Sequence, residues 1–209
     1  GIRDDLVTGV QTCALPIWDA KVIFAANNSV DITGTIDGAS AGEGIIQVTG
    51  ATKTFKSAIG STSVGTLDID ATPVFESTVG ATTIDIAGSV TATFNDAITA
   101  TTIALNGSSN LTISYTGAIT VAGNITDTST SNEINVLFAT ADTAPSLVTF
   151  SGAAVAADTI NIGSTTKAGK ATFTGSTGVT ATTLTIAGGN HANEDSTATF
   201  NDDLTATIV

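Results

Sequence analysis

The chain has no methionine, one cysteine, one tryptophan, one tyrosine, one histidine and three prolines in 209 residues. A single cysteine, Cys13, cannot build a disulfide framework or a multi-cysteine metal site. With one histidine, His191, every Ser/His/Asp or His-metal proposal has to run through that residue. Charge is also scarce, at 12% Asp, Glu, Lys and Arg, and it is one-sided, with 19 acids against 6 bases and a net charge of −13. So acidic a chain is repelled by nucleic-acid phosphate and by anionic membrane surfaces, which makes neither an expected partner. No apolar run approaches the ~20 residues that cross a bilayer as a helix.

Residues 1–17 differ from everything that follows. They hold Cys13, the only arginine (Arg3) and Pro16, next to Trp18, and lack the Thr-rich alternation found later. Val7 to Ile17 resembles the conceptual translation of a widely used short-read sequencing adapter. Gly1 to Asp4 resembles the upstream part of the same adapter, with Asp5 and Leu6 in the place of a sample barcode. A signal peptide would need a basic start and a continuous apolar core, which Arg3-Asp4-Asp5 and the mixed stretch after it do not provide. Residues 1–17 are therefore expected to be an adapter-derived artefact, and residues 18–209 a β-repeat array truncated at both ends. The unit that starts at Phe200 stops early, compared with the fuller one that starts at Phe94.

What is abundant is Thr, Ala, Gly, Ser, Ile and Val. The hydrophobic fraction is 42% and the mean hydropathy +0.34, against the low hydrophobicity and high charge of disordered chains. β-Branched residues with many glycines favour strands and tight turns over helices.

Aromatic residues recur at Phe55, Phe75, Phe94 and Tyr115, at intervals of 20, 19 and 21 residues, and again at Phe150, Phe173 and Phe200. An aliphatic residue follows each after a few positions, as in Ile59, Val79 and Ile98. A pair spaced by one residue then follows, as in Leu67/Ile69, Ile84/Ile86, Ile103/Leu105, Ile160/Ile162 and Leu184/Ile186. The cleanest unit is Val90 to Gly107. There Val90, Ala92 and Phe94 face one side and Thr91 and Thr93 the other, the period of a half-buried strand. Asn95-Asp96 and Asn106-Gly107 supply corners.

A unit of ~20 residues with two or three short strands fits one coil of a β-solenoid. About eight coils at ~4.8 Å make a rod roughly 40 Å long. Phe55, Phe75, Phe94 and Tyr115 are expected to stack as one internal aromatic row, with the aliphatic pairs in rows beside it. The alternative fold is an antiparallel β-sandwich, which also gives short alternating strands. Two insertions break the period. One is Thr126 to Pro145, whose Ile134, Val136 and Phe138 suit an irregular coil; the other is Gly188 to Ser196.

Candidate chemistry is thin. His191 lies in a Gly/Asn-rich insertion and reads as a solvated loop tip, since a catalytic imidazole needs fixed partners. Asn193, Glu194 and Asp195 offer oxygen ligands for Ca²⁺ but have no EF-hand spacing. The pairs Asp68/Asp70 and Asp202/Asp203 invite a glycosidase reading, because sugar hydrolysis sets two carboxyl groups across a bond. Asp68 and Asp70 alternate with Leu67 and Ile69, however, and so should point outward on one strand. Asp202 and Asp203 sit at a corner. Thr-x-Thr recurs at Thr91/Thr93, Thr99/Thr101, Thr180/Thr182 and Thr205/Thr207, and stacked copies would resemble the ice-binding faces of some solenoid antifreeze proteins. No catalytic residue, metal ligand or cofactor site is assigned.

At Phe75 to Ile86, Val90 to Leu105 and Phe200 to Thr207 the chain resembles the large β-strand-repeat surface proteins of Gram-negative bacteria, including autotransporter passengers, adhesins and S-layer-like proteins. The resemblance implies a non-enzymatic stalk, coat or adhesive module, exported to the cell surface or beyond. Its partners would be neighbouring coils of the same array, with host or surface glycans outside. A polysaccharide-active solenoid enzyme and an ice-binding protein are the alternatives.

Overall fold

The computed structural model describes residues 15–17, 20–139, 145–189 and 195–208. Every regular element among them is a β-strand, and every strand pairing is parallel, which excludes the antiparallel sandwich. Successive stretches of chain stack on one another as a β-solenoid of about eight turns, with three parallel ladders sharing one apolar core.

The ladders follow from the register. In the first, Ile36, Ile59, Val79, Ile98, Val121, Phe150, Phe173 and Phe200 lie one above another. The second runs through Val22, Ile46, Leu67, Ile84, Ile103, Ile125, Val155, Val179 and Leu204. The third runs through Ile32, Phe55, Phe75, Phe94, Ile113, Val136, Ile162 and Ile186. Alternation explains why these residues are inside: in Thr91–Phe94, Ala92 and Phe94 are buried while Thr91 and Thr93 are half-buried on the other side. Leu-Pro-Ile at Leu15–Ile17, within the segment expected to be artefactual, pairs in parallel with Ile36–Gly38.

Long strands serve two ladders. Ile59–Ile69 pairs with Ile36–Gly38 at its start and with Glu43–Val48 beyond, with a break in register between Ile59 and Val64. The backbone turns there at Gly60, whose φ of +69° favours glycine. A Cβ on Gly60 would also overlap the backbone of Gly80 in the next coil.

The aromatic row differs from the sequence expectation at Tyr115. Phe55, Phe75 and Phe94 do stack, with centroids 5.0 and 4.7 Å apart. Such pairs add about 0.5–1.5 kcal/mol each beyond their burial. The residue above Phe94, however, is Ile113, and Tyr115 lies two positions further along the strand. Tyr115 packs instead against Phe138 at 5.2 Å. Phe150, Phe173 and Phe200 form a second stack, at 4.7 and 4.9 Å, in the first ladder instead of the third.

The cause is the insertion from Thr126 to Pro145. It was expected to hold an irregular coil, but its Glu133–Phe138 stretch is a regular strand in full register with Asn110–Tyr115. That strand occupies the third ladder alone. Upstream, each unit places its short aromatic strand in the third ladder and its long strand across the first and second. Downstream, the same unit places the aromatic strand in the first ladder and the long strand across the second and third, as Val155–Ile162 does. One extra single-ladder strand has rotated the repeat by one face.

Candidate functional site

The outer faces carry short polar side chains in rows fixed by the same register. On the third ladder the outward rows include Thr93, Thr112, Asn135, Asn161 and Thr185, with Thr91, Asn110, Glu133, Thr159 and Thr183 beside them. Several rungs are tied across coils. Asn161 Nδ2 donates to Asn135 Oδ1 at 2.9 Å and Asn110 Nδ2 to Thr91 Oγ1 at 3.3 Å. On the first ladder Thr120, Thr149, Thr172 and Thr199 form a row of four threonines. Sequence reasoning missed this row, although three of its members immediately precede an aromatic residue.

The Thr-x-Thr pairs that suggested an array do not form one. Thr91/Thr93 lie on the third ladder, whereas Thr99/Thr101 lie at the bend between the first and second. Thr180 pairs with Thr205 on the second ladder. Thr99 and Thr101 line a shallow groove of about 290 Å³ with Gly42, Ser63, Thr82 and Ala100. Near Phe173 and Phe200 a crevice of about 10 Å³ lies between Gly152, Gly175 and Asp202, no larger than one water requires.

The carboxylates are placed as alternation requires. Asp68 is half-buried and Asp70 exposed, while Leu67 and Ile69, which alternate with them, are buried. Asp85 lies directly over Asp68 in the next coil. Burial, then the charge of Asp70 and that of Asp85, push the Asp68 carboxyl above the usual range, against the pull of Lys21 and a hydrogen bond from Gln47. Gln47 Nε2 donates to Asp70 at 2.9 Å and Asn106 Nδ2 to Asp85 at 2.6 Å, so both neighbours are tied to amides. Asp202 and Asp203 are exposed, and Asp202 Oδ1 accepts the Asp203 N–H at 2.8 Å in its own turn. Neither pair spans a cleft. His191, Asn193 and Glu194 lie outside the described residues, and Asp195 is exposed. Among the described residues, no group of three His, Cys, Asp or Glu side chains is placed to hold a metal, and no helix is long and apolar enough to cross a membrane.

Of the buried polar residues Lys53, Ser109 and Asn132, none was singled out in the sequence reading, and Lys53 and Asn132 hold coils together. Lys53 is 1% exposed, and its Nζ donates to the carbonyls of Ala26, Asn28 and Ala51 at 2.6, 2.8 and 2.8 Å. Burial pulls its pKa down. Its parity with Phe55 in Lys53-Thr54-Phe55 was the available signal, because it occupies the inward position that Ala92 fills before Phe94. Asn132 is fully buried at the corner before Glu133–Phe138. Its Oδ1 accepts from Ser109 N at 2.7 Å, and its Nδ2 donates to Leu105 O, Asp127 Oδ1 and Ser129 Oγ at 3.0, 2.6 and 2.9 Å. All of its side-chain hydrogen-bonding capacity is used in joining successive corners.

The site is thus an extended, repetitive, mainly uncharged polar surface on a stack of parallel coils. No family model, no curated protein and no solved structure matches this chain.

Proposed function

We propose that the chain is a non-enzymatic structural and adhesive repeat module of a large exported cell-surface protein. The observation that carries this reading is the continuity of the three ladders, from Val22 to Leu204 in the second, with short polar side chains on the outside at nearly every rung. Stiffness comes from stacking, because each coil is bonded to its neighbours over three ladders. Contact comes from repetition: Thr, Asn and Ser groups at ~4.8 Å intervals along the axis offer many weak polar contacts in place of one strong site. Neutral hydroxyl-rich polymers such as surface glycans suit such a face better than polyanions, given the net charge of −13.

The test is to immobilise the full chain on beads and measure retention on neutral polysaccharides and on cells, together with release of reducing sugar ends. Retention that falls when Thr112, Asn135 and Asn161 are replaced by Ala, with no sugar released, is the expected result. Catalytic release of sugar that disappears in Asp68→Asn or Asp70→Asn would replace this reading with the polysaccharide-active alternative. The row Thr120, Thr149, Thr172 and Thr199 favours ice binding as a second reading, which thermal hysteresis in the full chain would reveal.

A further inference from the structure

Asn106-Gly107 is the only Asn-Gly pair in the chain. In such a pair the backbone nitrogen of the second residue can close onto the side-chain carbonyl carbon of the first, because glycine has no Cβ to hinder the approach. The pair forms the corner at the end of Ile98–Asn106, with Asn106 half-buried and Gly107 and Ser108 exposed. Gly107 and Ser108 are both left-handed there, at φ +70° and +65°.

The fold holds both reacting groups. Asn106 Nδ2 donates to Asp85 Oδ1 at 2.6 Å in the coil before, and Asn106 Oδ1 accepts from the Thr128 hydroxyl in the coil after. Gly107 N donates to Ser129 Oγ at 2.6 Å. Ser129 is itself fixed, since its Oγ also accepts from Asn132 Nδ2 at 2.9 Å and its N–H donates to Asp127 Oδ1 at 3.0 Å. The carboxamide cannot turn toward Gly107 N without giving up Asp85 and Thr128. Nor can the Gly107 N–H lose its proton without giving up Ser129.

We propose that Asn106 is a site of spontaneous covalent modification, kept latent by the coils stacked on either side. When the corner opens, the Gly107 nitrogen loses its proton and attacks Asn106 Cγ. The new N–C bond forms, the Cγ–Nδ2 bond breaks, and Nδ2 leaves as ammonia with that proton, giving a succinimide. Water then opens the ring, at one carbonyl to aspartate and at the other to isoaspartate, with nothing oxidised or reduced. Either product sets a carboxylate against Asp85 where an amide had donated, and like charges so placed repel. Isoaspartate also inserts a methylene into the backbone where Asn106 pairs with Ala87. A transient opening of this corner therefore leaves a lasting mark.

The experiment incubates the full chain at mildly alkaline pH, folded and in denaturant, and follows each asparagine by peptide-mapping mass spectrometry that separates aspartate from isoaspartate. In denaturant Asn106 should convert faster than any other asparagine, and in the folded wild type at least about tenfold more slowly than in denaturant. Ser129→Ala and Thr128→Val, each checked for native circular dichroism, should raise the folded rate at Asn106 at least about threefold. The wild-type comparison decides even where a variant fails to fold. Equal rates at Asn106 in folded and denatured chain, another asparagine leading in denaturant, or natively folded variants that convert no faster than wild type would each overturn the proposal.

Discussion

The Tyr115 hydroxyl accepts a hydrogen bond from the backbone N–H of Lys170 at 2.9 Å, joining residues 55 positions apart across the point where the repeat rotates. Removing the oxygen in Tyr115→Phe leaves that N–H without its partner in a dry setting, at a cost of roughly 1–3 kcal/mol. Denaturant melts should show the loss, with little change in the slope of the transition.

The same residue predicts an alkaline limit. Burial raises the Tyr115 pKa, against the pull of its hydrogen bond to the Lys170 backbone. A raised value means that the folded chain prefers the neutral phenol. The stabilisation is therefore complete below the ordinary phenol range near ~10 and is lost as pH climbs through the folded value. Tyr115 is the only tyrosine, so a phenolate absorbance titration reports on it alone. Its midpoint should lie above that of the unfolded chain, and Tyr115→Phe should remove this component of alkaline destabilisation.

Asp68 predicts a change of the same sense, in the acid range. Its raised pKa means that the ionised form, stacked beside Asp85, is disfavoured in the fold. Its neutral form gives full stability below the ordinary carboxylate range, and that stability declines as pH rises through the folded value. Asp68→Asn should thus raise the melting temperature at neutral pH, and the gain should vanish in acid. Thermal melts across pH check this directly.

Much of this was legible in the sequence. Strict alternation in Val90 to Phe94, the Gly and Asn corners and the ~20-residue period dictate half-buried strands and stacked coils, because only period-two residues can share a face. The outward placement of Asp68 and Asp70 followed from the same rule. What alternation cannot supply is register between coils. Phe94 and Tyr115 look equivalent at a spacing of 21 residues, yet stacking is set by backbone bonds that align Phe94 with Ile113. Nor does a local pattern reveal that Glu133–Phe138 fills a ladder and turns every later unit by one face. Lys53 and Asn132 were missed for a related reason: the carbonyls and amides that make a buried polar group acceptable come from other coils.

Glycines separate backbone geometry from packing. Gly60→Ala forces a Cβ into the Gly80 backbone and strains a φ of +69°, and should cost more than about 1 kcal/mol. At Gly117 a Cβ meets nothing within 4 Å and the backbone needs no positive φ, so Gly117→Ala should be neutral or stabilising by up to about 1 kcal/mol. Chemical denaturation of the two variants side by side gives the contrast.

Lys53→Met keeps the length of the side chain and removes its three donors. The carbonyls of Ala26, Asn28 and Ala51 then lose a charged partner, at a cost of roughly 2–4 kcal/mol. Equilibrium unfolding of the variant should show the loss even though a hydrophobic residue has replaced a charge in the core.

The rotation of the repeat is tested most directly by disulfide trapping in a Cys13→Ser background. Thr120 and Thr149 are register partners in the first ladder, and neighbouring parallel strands ~4.8 Å apart lie within the Cα range a disulfide spans. Thr120→Cys with Thr149→Cys should therefore cross-link readily under mild oxidation. If Val148–Phe150 instead continued the third-ladder aromatic row above Phe138, Thr149 would sit over Leu137. Rapid cross-linking of Leu137→Cys with Thr149→Cys, and none between positions 120 and 149, would contradict the rotated solenoid.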